Sequence, residues 1–321
     1  MAVKAAMRYL LVSLFASLLY LLGVALLYAG SGVLDMPAAR VLLSDNPAAQ
    51  LAMVCMITGL ALKTALFPLH FWLPQAHGNA LAPVSALLSA LVIKASFYLI
   101  VRLWFYLFAP AGVAVPAMAE LLGALGAGAV LWGSLQALSA KRLKLLIAYS
   151  TVAQIGYLFL LFPLDGMRPG MAFNGAMILL LAHGFAKAAM FLAAEVVTNR
   201  LGHDRIADLT RSRALPRVTQ VTMGLAAVSL IGLPPSGGFS GKWILLVESL
   251  RAGPTVWTAV LVIGTLLSAA AMFRVLVRFF GAQPEEENAD FGSRPTIVAT
   301  ALDIVPLLLA AAAIAIGFGG N

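Results

Sequence analysis

The chain has 321 residues, of which 62% are hydrophobic and only 11% charged, and its mean hydropathy is +0.96. One water-soluble core cannot hide that much apolar side chain, which excludes soluble enzymes and disordered tails and makes the bilayer the expected solvent. The net charge of +8 fits arginine-rich loops at a membrane surface better than a nucleic-acid partner, and none is expected.

Apolar runs of about 20 residues recur without the alternation of barrel strands, so the expected fold class is an all-α polytopic membrane protein. In chain order, spans are predicted at 7–29, 48–77, 83–108, 115–138, 144–163, 172–198, 218–250, 255–281 and 296–318, nine in all, with the second and seventh interrupted. Connections are short, the longest being a basic stretch at 199–217 and the acidic turn Glu285, Glu286, Glu287. Nothing resembles a cleavable signal peptide. Cys55, alone in an apolar run, cannot build a disulfide, a zinc site or an iron–sulfur site. With the N-terminus inside, the inner segments hold Lys4, Arg8, Lys141, Arg142, Lys144, Arg200, Arg205, Arg211, Arg213, Arg217, Arg274, Arg278 and Arg294, against Arg40, Arg168 and Arg251 outside. That asymmetry predicts a cytoplasmic N-terminus and an outer C-terminus in a bacterial-type inner membrane.

Lys63, Lys94, Arg102, Lys187 and Lys242 remain within the spans. A charge at the bilayer centre costs roughly 2.5–3.5 kcal/mol, so each needs a partner or a wet cavity. The four lysines fall near the midplane, too deep for their stems to reach headgroups. Arg102, near the exit at Pro110, is expected to snorkel or to form a structural ion pair. His183 precedes Lys187 by one turn, and Glu195 follows on the same stripe, a pattern suited to a proton path. Glu248 is a candidate partner for Lys242, and Asp303 is expected to be structural.

Both interrupted spans adjoin a lysine. Pro68 and Pro74 follow Lys63, while Gly232, Pro234, Pro235, Gly237 and Gly238 precede Lys242. Proline removes a backbone donor and glycine loosens the helix, so both segments are expected to unwind. Unwound backbone at membrane depth is tolerated where it is buried or lines a water-filled cavity. Paired broken helices point to the ion site of a transporter.

The stretch from Lys63 through Pro68, His70, Trp72, Pro74 and His77 to Lys94 resembles the antiporter-like membrane subunits of respiratory complex I. Their relatives are the Mrp cation/proton antiporters and membrane-bound hydrogenases. Lys141–Val152, Ala182–Phe191 and Gly232–Lys242 agree in order. The resemblance implies proton transfer through Lys63, Lys94, His183, Lys187 and Lys242, with His77 and Gln154 as accessory positions; Glu195 and Glu248 join them as accessory candidates from their placement in the spans. It divides the chain into a partial first repeat at 1–110, a second five-helix repeat at 111–281 and a terminal helix at 282–321, as though the first five helices of the family were missing. The glutamate that the family pairs with the lysine matched by Lys63 would be lost with them.

Gln154 stands where many members have histidine, and Gln75 stands where an acid is common. No cofactor is expected, since no nucleotide loop, haem ligand set or flavin fingerprint is present. The partners implied are other membrane subunits, the lipid bilayer, and protons or sodium. Three alternatives remain: sodium/proton antiport of the Mrp type, a structural module without transport, and a quinone pocket at His70, Trp72 and His77, whose aromatics read more simply as an interfacial belt.

Overall fold

The computed structural model describes residues 2–43, 45–166, 168–209, 215–253, 255–280 and 301–319. The acidic turn at Glu285–Glu287, Arg211, Arg213, Arg294 and the start of the predicted ninth span lie outside them.

The described residues form an all-α polytopic membrane protein. The first span is α1 (Ala2–Ser31), followed by α2 (Met36–Leu42), a short helix that the hydropathy pattern does not foretell. Asp35 caps α2 by accepting from the Ala38 amide at 3.1 Å, the ordinary N-cap arrangement. The second span is α3 (Pro47–Thr64), a 3₁₀ turn at Leu69–Trp72 and α4 (Leu73–Asn79). The third is α5 (Ala82–Leu87) and α6 (Ile93–Leu103), with π turns at Leu88–Val92 and Trp104–Phe108. Then come α7 (Pro116–Ser139), α8 (Leu143–Phe159) with the short α9 (Leu161–Asp165), and α10 (Met171–Leu201). The seventh expected span is two helices, α11 (Arg217–Ile231) and α12 (Gly237–Ala252), and the chain ends on α13 (Thr255–Phe280) and α14 (Ala301–Ala315). Seven of the described helical segments are long and apolar enough to cross a membrane, and 217–231 and 303–318 are shorter apolar helices.

The two interruptions are as expected, but the prolines divide their roles. In the first, α3 stops before Pro68, at Ala65, which adopts the left-handed conformation (φ 59°). Pro74 does not break a helix at all. It occupies the first turn of α4, where its missing N–H is no loss. In the second, Gly232 (φ 89°) closes α11 and Ser236 caps α12 by accepting from the Phe239 amide at 3.2 Å. Gly238 is a contact glycine: a Cβ there would lie 1.8 Å from the Ser229 carbonyl, so the two half-helices pack backbone to backbone.

Without water to drive apolar faces together, helices in lipid associate through close contact at small residues. The pair α7 and α8 shows this. A Cβ on Gly156 would sit 2.4 Å from the Gly126 carbonyl, and one on Gly133 would sit 2.6 Å from the Ala153 nitrogen. The 24-residue α7 therefore lies against α8, which is among the most buried spans of the molecule. The turn joining them is clamped from the 202–209 connection. Asp204 accepts from Arg142 Nε at 2.9 Å and from the Lys144 amide at 3.4 Å, and the Ile206 amide donates to the Lys141 carbonyl at 3.0 Å.

Gly156→Val is expected to lower the melting temperature of the detergent-solubilised protein by several degrees, because overpacking costs typically 1–3 kcal/mol. Gly224→Ala, where a Cβ meets nothing nearer than Phe280 at 3.5 Å, should change it little.

Candidate functional site

Three lysines sit wholly inside the helix bundle. Lys187 is 0% exposed, Lys94 5% and Lys242 7%, so these side chains turn inward and do not snorkel. Each ammonium finds backbone or hydroxyl oxygen in place of a carboxylate. Lys94 donates to the Ser89 carbonyl. That carbonyl lies in the π turn Leu88–Val92, where the regular i to i−4 ladder is interrupted. Lys187 reaches across from α10 to α8, donating to the Ile147 carbonyl at 2.7 Å and to Ser150 Oγ at 2.5 Å. Lys242 donates to the carbonyls of Leu230 and Ile231, 3.0 Å each. These are the last carbonyls of α11, left without an intrahelical donor where the helix stops. Lys242 also lies over the Tyr157 ring, 4.6 Å from its centroid.

Two imidazoles complete the group. His183 and His77 are 2% and 0% exposed, and neither ring nitrogen of either has a hydrogen-bond partner. His77 stacks on Phe191 at 4.7 Å. His183 is close enough to Lys94, Lys187 and Lys242 to interact electrostatically with all three, and His77 interacts with Lys94 and Lys187. Five predicted or accessory residues from α4, α6, α10 and α12 are thus brought together.

Lys63 stands apart. It lies in the last turn of α3, is partly exposed, and makes no hydrogen bond or ion pair among the described residues. Gln154 is buried at the heart of the group, where its amide nitrogen donates to the Leu230 carbonyl at 2.8 Å and its oxygen is unpartnered. Gln75 accepts from Arg8 of α1 at 2.5 Å. Arg102 is exposed beside a cavity of about 370 Å³ lined by Tyr98, Val101, Tyr106 and Phe173. Asp303 is buried at 6% exposure.

One expected pairing is corrected, and one candidate has a partner on another helix. Glu248 does not meet Lys242; it binds Arg251 at 2.8 Å. Helical geometry explains this, since Arg251 is three residues away on the same face and Lys242 is six residues away on another. Glu195 sits on the predicted stripe of α10, but its partner comes from α8: Lys144, at 2.7 Å. Lys144 was expected in a cytoplasmic segment; it is 8% exposed, one turn before the Ile147 carbonyl that holds Lys187. Its place at the predicted boundary of the fifth span was the available signal. Nor do Trp72 and His77 form an interfacial belt. Trp72 is 2% exposed and its indole donates to the Leu62 carbonyl at 2.9 Å, bridging the first break.

Fold and site together define a polytopic helical membrane protein organised around two interrupted helices and a buried cluster of basic side chains. The chain belongs to the NADH:quinone oxidoreductase/Mrp antiporter transmembrane family, whose model matches residues 1–268. It is 37% identical over 323 residues to NADH-quinone oxidoreductase subunit N of Desulforudis audaxviator, covering 96% of this chain and 63% of that relative. In structure it resembles a chain of the membrane-bound sulfane sulfur reductase, an archaeal respiratory membrane complex, with TM-score 0.84 and 27% identity, covering 99% of this chain and 63% of that one. It also resembles a chain of the Mrp complex from Dietzia sp., with TM-score 0.82 and 26% identity, covering 99% and 65% respectively. The chain therefore spans somewhat less than two thirds of the length of these proteins.

Replacing a buried charge by an apolar side chain of similar volume is often neutral or stabilising. Lys187→Met should accordingly leave the melting temperature in detergent unchanged or raise it. A fall of several degrees would mark Lys187 as a structural anchor.

Proposed function

We propose that this chain is part of a membrane subunit that conducts protons through Lys94, Lys187, Lys242 and His183, within a larger complex that supplies the driving force. The observation that carries this proposal is the buried cluster of lysines held by carbonyl and hydroxyl oxygens with no carboxylate paired to them among the described residues. A carboxylate salt bridge would fix a lysine in its charged form, whereas neutral oxygen leaves charged and neutral amine closer in energy. Such a group changes its proton occupancy when a neighbouring charge moves. The four unpartnered ring nitrogens of His77 and His183 support water along the path, because buried polar atoms ordinarily find a protein or water partner.

Roles follow from position. His183 interacts with all three lysines and is the junction. Lys242, at the second break, faces the exit. Lys144 and Glu195, less deeply buried than Lys187 and one turn from its acceptor, form the approach from the Arg142 end. Lys63, partly exposed on α3, is the proton site of the first half, as the family pattern has it. The division at 110 and 281 into a partial repeat, a full repeat and a terminal helix belongs to the same proposal, as does a cytoplasmic N-terminus. The family and the named relatives, subunits of respiratory and antiporter complexes, support both proton transfer and the need for partner subunits.

A second reading has one observation in its favour. The freed carbonyls of Leu230 and Ile231 beside the unpartnered Gln154 oxygen are hard ligands of the kind alkali cations take, which suits sodium/proton exchange.

In vesicles reconstituted with the assembled complex, Lys187→Ala and Lys242→Ala should each lower proton flux at least tenfold while leaving assembly on a native gel intact. Flux equal to wild type in both variants refutes the path, and flux that collapses without sodium selects the exchange reading.

A further inference from the structure

The second break holds more than a lysine. Lys242 extends from α12 toward the end of α11 and gives two hydrogen bonds to carbonyls, yet an ammonium carries three donors and a full charge. The remaining side of the ammonium faces the ring of Tyr157, 4.6 Å from the centroid. An aromatic face is electron-rich and attracts a cation most strongly where water is excluded, and Tyr157 is 0% exposed.

The ring packs against α13. Its hydroxyl points toward Thr265 and Ser268 of α13 without closing a hydrogen bond to either. Gly264 of α13 leaves the room it needs, for a Cβ there would lie 2.6 Å from the Tyr157 oxygen. Gln154, three residues earlier on α8, fixes the Leu230 carbonyl from the same side at 2.8 Å. On the opposite side, Gly232 lets the lysine stem pass, since a Cβ would meet Lys242 Cδ at 3.0 Å.

Three carboxylates on neighbouring elements have other partners. Glu248 holds Arg251. Asp165 of α9 accepts from the amides of Gly170, Ala172 and Phe173 at 2.8, 3.1 and 2.6 Å. Glu195 of α10 holds Lys144. Lys242 is within electrostatic reach of His183 and Lys187 of α10; Arg274 of α13 donates to the carbonyls of Ala137 and Ala140.

We propose that Tyr157 is a positioning residue for Lys242, its ring face supplying in place of a carboxylate the negative potential that keeps the ammonium charged at the mouth of the broken helix. The proposal rests on Lys242 being a proton-carrying group. A π face is weaker than a carboxylate and does not titrate with the lysine, so it favours the charged form without locking it.

The test is the pH profile of proton flux in vesicles bearing the assembled complex. Tyr157→Leu should move the alkaline limb of the profile toward lower pH by about one unit, since loss of the ring disfavours the ammonium by about tenfold. Tyr157→Phe, which keeps the ring and drops the hydroxyl, should restore the wild-type limb. Should the leucine variant fail to assemble, Tyr157→Met, closer in volume and equally without a π face, carries the same expectation. An unmoved limb in the apolar variants, with flux abolished in Lys242→Ala, overturns the role of Tyr157 while the proton path stands. A phenylalanine variant that behaves like leucine also overturns it, by assigning the effect to the hydroxyl. Full flux in Lys242→Ala removes the path at this lysine and the proposal with it.

Discussion

The constraint on which the molecule turns is the cost of an ammonium group in hydrocarbon. Each of Lys94, Lys187 and Lys242 brings a positive charge to a place where water is scarce, and a charge so placed is retained only if oxygen or another electron-rich group replaces its hydration shell. A regular helix offers little, because its carbonyls are already used. The chain answers with irregularity. A π turn frees a carbonyl for Lys94, and the stop of α11 frees two for Lys242. Lys187 alone draws on an unbroken helix, sharing the Ile147 carbonyl with the hydroxyls of Ser150 and Thr151. The backbone defects are therefore where the charges are solvated.

Irregular backbone at this depth must itself be enclosed, and glycine and alanine do the enclosing. Gly238 admits the Ser229 carbonyl, Gly241 admits that of Gly175, and Gly126 and Gly156 bring α7 against α8. The same closeness holds α8 where its two polar faces meet different partners, with Ser150 turned to Lys187 and Gln154 and Tyr157 turned to the second break. One helix thus carries groups that touch two of the three lysines, so a displacement of α8 would be felt at both.

Much of this was legible in the sequence. The spans follow from apolar runs, and both breaks follow from proline and glycine beside a lysine, because these effects are local to the chain. Depth in the span correctly gives the inward direction of Lys94, Lys187 and Lys242, but not of Lys63, which the same depth placed at the midplane and which is partly exposed at the end of α3. What was not legible depends on which helix lies next to which. The partner of Glu195 is contributed by α8, fifty-one positions earlier, and no periodicity within α10 could name it. The π turn at Leu88–Val92 has no proline or glycine to announce it. Tyr157 reads as one more aromatic in an apolar run until α12 is laid against it. Glu248 is of another kind: its three-residue spacing to Arg251 is visible in the sequence and outweighs its nearness in the chain to Lys242.

The pairings that exist sharpen the meaning of those that do not. Arg142 with Asp204, Lys144 with Glu195 and Arg251 with Glu248 all lie toward the ends of helices, where charge pairs cost little and fasten loops or caps. Moving inward along α8, the partner of a lysine changes from a carboxylate at Lys144 to hydroxyl and carbonyl at Lys187, and then, across the bundle at Lys242, to carbonyls and an aromatic face. The carboxylate partner is found at the helix-end lysine and not at Lys187 or Lys242, although Lys144 is nearly as buried as Lys242 (8% against 7% exposed). A chain selected only for stability would do the reverse, or would replace the inner lysines with leucine. That division fits the proposed proton path, in which the inner amines would give up and regain their charge while the ion pairs nearer the helix ends hold the helices in place.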